Sequence, residues 1–586
     1  MPATSNQTWR IYQQVAAASG IPVRQASVCI DLLDGGATIP FIARYRKEVT
    51  GSLDDAALFS LAGHLERVRR LEERRDAIVT ALAQSGHLTP GLAEQIAAAS
   101  TLAALEDLYL PFKPRRKTRA DKAREQGLDP LAALLLTQQP GIDPLRESER
   151  YISPERGVPS AQAALLGAED IIAGRISEDP EVRRLVRELF HHTARISASA
   201  ARGTGGDAGK WREYVGMNES VSRIPSHRIL ALFRGEEEGL VSVRISPEPG
   251  TAVALMAGIW VTGSGPSSVC VSDAVTDGYH RLLAPSLERE LRREMKERAD
   301  EEAAEVFATN LRTLLRAPPL GAKRILAIDP GFRTGCKVVA LNAVGDPVAS
   351  ATIFPHDPRP DPGGAARIIR DLCRDHDCEV IAIGDGTAGR ETWQFIRGLG
   401  LPEGILVVSV PEQGASVYSA SECARHELPG MDVTLRGAVS IGRRLLDPLA
   451  EMVKIEPRSI GVGQYQHDLD QALLKERLDG VVRSVVNEVG VELNSASAAL
   501  LSYVSGLNSR LADAIVAHRE KHGPFQSRED LKRVKGIGDR VFEQAAGFLR
   551  IRHGANPLDN TGVHPERYVL VAEMAAGLQA TPADLI

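Results

Sequence analysis

The stretch Arg324-Ile-Leu-Ala-Ile-Asp-Pro-Gly-Phe-Arg-Thr-Gly335 sets an aspartate directly after an apolar, β-prone run and ahead of a glycine-bearing turn. Working outward from it, Arg324 to Ile328, Lys337 to Leu341 and Val348 to Ile353 are short β-rich runs separated by Gly-bearing turns, which predicts a three-stranded meander. Beyond the meander, a helix is expected over 365–376, a strand over Glu379 to Gly384 and a helix from Glu391 to Arg397. A strand from Ile405 to Val410 and a helix through Ala424 complete the series.

The order βββαβαβ, with carboxylates just past the strand ends, is that of a ribonuclease H-like domain. Asp329 follows the first strand, Asp385 the fourth and Glu412 the fifth, while Asp447 is expected on a later helix. Drawn together, these acids would hold two divalent cations such as Mg2+, which activate water and stabilise the leaving oxygen of a phosphodiester. The same residues serve equally as turn formers and caps: Asp329-Pro-Gly and Glu412-Gln-Gly suit turns, and Asp447-Pro suits a helix break. Spacing leaves both readings open. Cys373-Arg-Asp-His376-Asp-Cys378 reads as a helix end running into a strand, without the second ligand pair that a zinc site needs.

Composition limits the classes. With 586 residues, 43% hydrophobic and 25% charged, the chain has a soluble globular composition and length for about three to five domains. A net charge of -6 and a pI near 6.2 exclude a chain that is basic throughout, so any nucleic-acid surface must be local. Cysteines at 29, 270, 336, 373, 378 and 423 are too dispersed for a disulfide framework and suit a reducing cytosol. The opening residues lack the apolar core of a signal peptide. No later run approaches the roughly 18 apolar residues of a membrane span. No membrane partner and a cytoplasmic location are expected.

The first 320 residues read mainly as helices, with amphipathic spacing over Ala16 to Leu33, Leu53 to Ala83 and Ser286 to Leu315. Pro285 and Pro318-Pro319 mark the limits of the last. Between them, Ile229 to Phe233 and Val241 to Ile245 fit short strands or links between helices. The segment Lys113 to Arg124 holds seven cations and one acid. It is either a solvated loop or a phosphate-contacting patch built on Lys113, Arg115, Arg116, Lys117 and Arg119. Tyr109 and Phe112 beside it would stack on bases or anchor the loop.

An internal repeat gives the sharpest signal. Val504-Ser-Gly506-Leu507-Asn-Ser-Arg510-Leu511 recurs thirty residues on as Val534-Lys535-Gly536-Ile537-Gly538-Asp-Arg540-Val541. Each copy follows a short helix and opens another, the pattern of two helix-hairpin-helix units. Their glycines let the backbone turn with nothing in front of it, leaving amide N–H groups for a phosphate oxygen. On that reading Gly506, Arg510, Lys535, Gly536, Ile537, Gly538 and Arg540 form a nucleic-acid surface, and the alternative is a hairpin used only for packing.

Longer motifs carry a resemblance. Pro40-Phe-Ile-Ala-Arg-Tyr-Arg-Lys47, Leu105-Glu-Asp-Leu-Tyr-Leu-Pro-Phe-Lys113, Arg223-Ile-Pro-Ser-His-Arg228, Gly414-Ala-Ser-Val-Tyr-Ser-Ala-Ser421 and Ser459-Ile-Gly-Val-Gly-Gln-Tyr-Gln-His467 resemble the bacterial Tex family of transcription accessory proteins, end to end. The resemblance implies a multidomain, mainly α protein. Its expected parts are a helical scaffold over 1–320, a YqgF-type RNase H-like α/β domain over 321–450 and a connecting segment over 451–495. Tandem helix-hairpin-helix units over 496–555 and the start of a C-terminal helical segment over 556–586 follow. The family's C-terminal OB-type RNA-binding domain would follow His564-Pro-Glu-Arg-Tyr568, and with Ile586 as the last residue the expectation is either a truncated sequence or a member lacking that domain. Asp385 departs from the pattern, because the family segment resembling Gly384 to Glu391 usually carries asparagine there.

The implied function is that of a non-catalytic factor binding RNA, and possibly DNA, alongside the transcription machinery, with no cofactor, metal or catalytic residue. The alternatives are a Mg2+-dependent nuclease or junction resolvase using Asp329, Asp385, Glu412 and Asp447, and an adaptor contacting polymerase or ribosome.

Overall fold

A computed structural model describes residues 6–113, 116–202 and 209–586. The chain forms two compact units, one of residues 65–303 and one joining Met1–His64 to Ala304–Ile586. These units cut across the 1–320 range, and the long helices Asp55–Gln84 and Ala284–Leu315 carry the chain over the boundaries.

Within residues 65–303, helices surround a small antiparallel sheet. It has the order β2-β1-β3, with β1 at Arg195–Ala200, β2 at Asn218–Ser220 and β3 at Val241–Ser246. Ile229 to Phe233 is not a strand but the middle of the helix Ser226–Glu237, where Ile229, Leu230 and Leu232 are buried. The polar alternation of Arg195–Ala200 gave little sign of a strand. The helix expected over Ala16 to Leu33 is two helices, Asn6–Ser19 and Val23–Asp34, because Gly20 adopts a left-handed φ of 69° and Pro22 cannot continue a helix.

The other unit contains a five-stranded mixed sheet of order β6-β5-β4-β7-β8. Its strands are β4 Ile325–Asp329, β5 Cys336–Leu341, β6 Pro347–Ile353, β7 Val380–Gly384 and β8 Leu406–Val410. β4, β5 and β6 are the antiparallel meander, whereas β7 and β8 join β4 in parallel through helical crossovers. Both faces are covered, so Ile325 to Ile328 form a continuous buried run without alternation. Ile369, Cys373 and Ile396 of the helices Pro362–Asp375 and Gly389–Arg397 pack on Leu326 and Ile328. Ala438, Val439 and Ile441 of Val433–Leu446 pack on Ile325 and Ala327 of the other face. The topology places the C-terminal ends of β4, β7 and β8 side by side, with Asp329 and Asp385 at two of them.

Residues 496–555 are helical hairpins tied to the N-terminal helix Ile39–Tyr45. Tyr45 donates to the carbonyls of Gly547 at 2.7 Å and Gly562 at 3.2 Å. Arg46 pairs with Glu543 at 2.6 Å and Glu566 at 3.1 Å. The Pro40 to Lys47 motif is therefore a docking element. Arg528, only 1% exposed, donates to the carbonyls of Leu549, Thr561 and Val563 and to the Tyr568 hydroxyl.

Candidate nucleic-acid interface

Asp329 ends β4 in register with Lys337 of β5. Burial pushes its pKa above the ordinary 3.8, with Lys337 pulling the other way. A β-carbon at Gly437 would stand 2.6 Å from Asp329 Oδ2, so the last helix meets this acid with a residue that has no side chain. Beside Asp329 lies a cavity of 210 Å3 lined by Thr334, Lys337, Ser416, Ser419 and Thr434, hydroxyls and an ammonium rather than further acids.

Asp385 is the first residue past β7 and is exposed, and its Oδ1 accepts the backbone N–H of Glu412 at 3.1 Å. Glu412 folds over the Gly384-Asp385-Gly386 turn. β-Carbons at Gly384 and Gly386 would stand 2.4 and 1.6 Å from its carboxylate oxygens, so only glycines allow this position. Burial raises the Glu412 pKa, Asp329 and Asp385 add to that, and the Gly386 N–H and Arg444 oppose it. The fold thus brings Asp329, Asp385 and Glu412 into one electrostatic neighbourhood.

Asp447 does not join them. Rather than lying on a helix, it caps the next one, Pro448–Met452, by accepting the Ala450 N–H at 2.9 Å. It stands ten residues beyond Gly437, and a rise of about 1.5 Å per residue puts it roughly 15 Å from that contact. An aspartate ahead of a proline is a helix-start signal, which identifies this role from sequence. Among the described residues no group of three or more His, Cys, Asp or Glu is placed to hold a metal ion. Asp385 and the carboxylate of Glu412 each accept a backbone N–H and Asp447 serves a cap, so the four acids do not converge as one set. Cys373 and Cys378 form a helix stop instead: the Cys378 N–H bonds the Cys373 carbonyl at 2.9 Å and both thiols are buried.

The two hairpins pack on one another through their first glycines. Gly506 and Gly536 have φ of 78° and 96°. A β-carbon at Gly506 would meet Gln544 Cβ at 2.6 Å, and one at Gly536 would meet Leu511 Cδ2 at 3.0 Å. These glycines serve the turn and close packing together. The tips then differ. Asn508 caps Ser509–His522, its Oδ1 accepting the Leu511 N–H at 3.0 Å. Gly538 caps Asp539–Ala545 without a side chain, and nothing lies within 4 Å of where its β-carbon would be. The second tip therefore keeps its first-turn N–H groups open to a ligand.

Lys535, Gly536, Gly538 and Arg510 are exposed and Ile537 is buried beneath the tip. Arg540 turns away and donates to the Gly35 carbonyl. Asp539, 98% exposed, places a negative charge beside the same amides, 3.7 Å from Lys532.

In the basic segment, Arg115 lies outside the described residues. Lys113 pairs with Glu106 at 3.5 Å, Lys117 with Glu125 at 2.6 Å and Arg124 with Asp121 at 2.8 Å. Arg116 and Arg119 are exposed. Tyr109 and Phe112 pack against Ile78, Leu82, Ile96 and Leu105, with the Arg74 guanidinium 5.5 Å from the Tyr109 ring centre and His87 5.2 Å from that of Phe112. Both aromatics anchor the loop.

Residues 323–446 match the family described as Tex protein YqgF-like domain, 139–307 Tex central region-like and 9–83 Tex-like protein N-terminal domain. Residues 486–550 match Helix-hairpin-helix motif and 556–586 HHH domain. An S1 segment is not among the matches. Protein tex of Bordetella pertussis is 46% identical over 594 residues, covering 98% of this chain and 75% of that protein. Transcriptional accessory protein Tex of Neisseria gonorrhoeae is 43% identical, covering 98% of this chain and 76% of the relative. S1 RNA-binding domain-containing protein 1 of Homo sapiens is 33% identical over 94% of this chain and 57% of its own length. No helix among the described residues is long and apolar enough to cross a membrane.

Proposed function

The chain belongs to the Tex family, and from that premise we propose that it is a non-catalytic nucleic-acid-binding factor acting with the transcription machinery in the cytoplasm, with RNA as its main ligand. The observation that carries the binding role is the second hairpin tip, where Gly538 leaves the amides of Asp539–Ala545 uncapped beside exposed Lys535. Backbone N–H groups at such a tip recognise phosphate and not bases, so binding is expected on every sequence. The name of the Neisseria relative supports the transcriptional setting and that of the human relative supports RNA.

A metal-dependent nuclease is the competing reading, favoured by the shared neighbourhood of Asp329, Asp385 and Glu412. Retardation of labelled RNA and DNA by the parent and by Gly538→Asp tests the proposal. Loss of affinity on all sequences in a folded variant supports it, and equal affinity removes the hairpin from the interface.

A further inference from the structure

Arg444 lies on the Val433–Leu446 helix, seven residues and about two turns past Gly437, the residue that faces Asp329. It is only 4% exposed. One Nη donates to the Pro411 carbonyl at 2.6 Å, which fixes the loop carrying Glu412. Its Nε and other Nη are buried and make no hydrogen bond among the described residues, and the same holds for Glu412 Oε2. A guanidinium is not buried in this way unless opposite charges face it. Those charges are Glu451, Glu412 and Asp385, in that order of influence. Seen from Glu412, Arg444 is the cation set against Asp329 and Asp385.

We propose that Arg444 supplies, from within the chain, the positive charge that divalent cations would bring to the strand-end acids, so that Asp385 and Glu412 stay together without a metal. This accounts for two observations that otherwise stand apart. Glu412 is tucked against the Gly384-Asp385-Gly386 turn despite two neighbouring acids, and an arginine is buried under the end of the sheet with donors to spare. Lys337 plays the lesser, partly exposed counterpart on the Asp329 side. The inference rests on the non-catalytic reading and deepens it, because a fixed positive charge facing Glu412 and Asp385 opposes the approach of a second cation such as Mg2+.

Uptake of Mn2+ by the full chain, read as the loss of the free-ion resonance signal, tests the assignment without nucleic acid. The parent and Arg444→Lys should behave alike. Arg444→Gln, shown to be folded, should take up Mn2+ on the order of tenfold more tightly, a gain of about 1.4 kcal/mol. Adding Glu412→Gln should abolish that gain. A folded Arg444→Gln with the parent's Mn2+ affinity overturns the proposal. So does uptake by the parent that disappears in Glu412→Gln alone, and this second comparison decides the matter if Arg444→Gln does not fold. Because no nucleic acid is present, a negative result here leaves binding and cleavage to their own assay.

Discussion

Gly538 and Asn508 hold equivalent places in the two hairpins, and their difference sets what each tip offers a phosphate. The backbone at Gly538, φ -93° and ψ -179°, is extended and suits asparagine or aspartate without strain. Either side chain would then accept a first-turn N–H as Asn508 does, giving a few tenths of a kcal/mol of helix stability. We expect Gly538→Asn to keep or slightly raise the melting temperature while weakening RNA binding. Gly538→Asp should weaken it further, on the order of tenfold, since it adds charge repulsion to the occupied amide. Asp539→Asn should move affinity the other way by removing an exposed negative charge from the tip. Fluorescence anisotropy at fixed salt checks all three, and unchanged affinity in both Gly538 variants would reduce the hairpin to packing. Asp329 and Glu412 make a separate prediction. Burial raises both pKa values, so the fold binds protons more tightly than the unfolded chain, and the stability this gives is lost as pH rises through the elevated values. Asp329→Asn removes that loss. Its melting temperature relative to the parent should therefore gain most at about pH 8 and least at about pH 4, whereas a pH-independent difference would mean that Asp329 is not strained by burial.

Among the elements, Arg528 ties the start of the second hairpin to the chain after it through the carbonyls of Leu549, Thr561 and Val563. Arg528→Met should cost about 3–5 kcal/mol and lower the melting temperature accordingly, because it leaves the carbonyls of Leu549, Thr561 and Val563 without their donor and takes the buried counter-charge away from Asp559. A loss under about 1 kcal/mol would show that the region repacks. The sheet was legible from sequence because its strands are short apolar runs cut by glycine turns, and their ends fall within two residues of those expected. The hairpin repeat was legible for a similar reason: two glycines at fixed spacing dictate the turn. What escaped depends on neighbours distant in sequence. Ile229 to Phe233 looks equally apolar as a helix face or a strand, and its packing in the 65–303 unit decides. Arg443 and Arg444 look like the solvated end of an amphipathic helix, and only the loop after β8 buries the second of them. Tyr109 and Phe112 read as candidates for base stacking until the hydrophobic residues beneath them are placed.

For the molecule as a whole, each compact unit offers its own basic feature, the Lys113 to Arg124 segment in one and the hairpin tip in the other. Replacing Arg116 and Arg119 with alanine should reduce the salt dependence of RNA binding by up to about one unit per lost phosphate contact if that segment touches the backbone. An unchanged slope would assign the segment to solvent or to a protein partner. Holding nucleic acid without cutting it depends on the acids, Arg444 and the hairpins together. Purified protein incubated with labelled single-stranded RNA, duplex and four-way-junction substrates in Mg2+ or Mn2+, then resolved on native and denaturing gels, tests it most directly. Retarded complexes should form whose strands remain intact at every metal concentration. Strand cleavage that disappears in both Asp329→Asn and Asp385→Asn would contradict it and establish a working nuclease at the ends of β4 and β7.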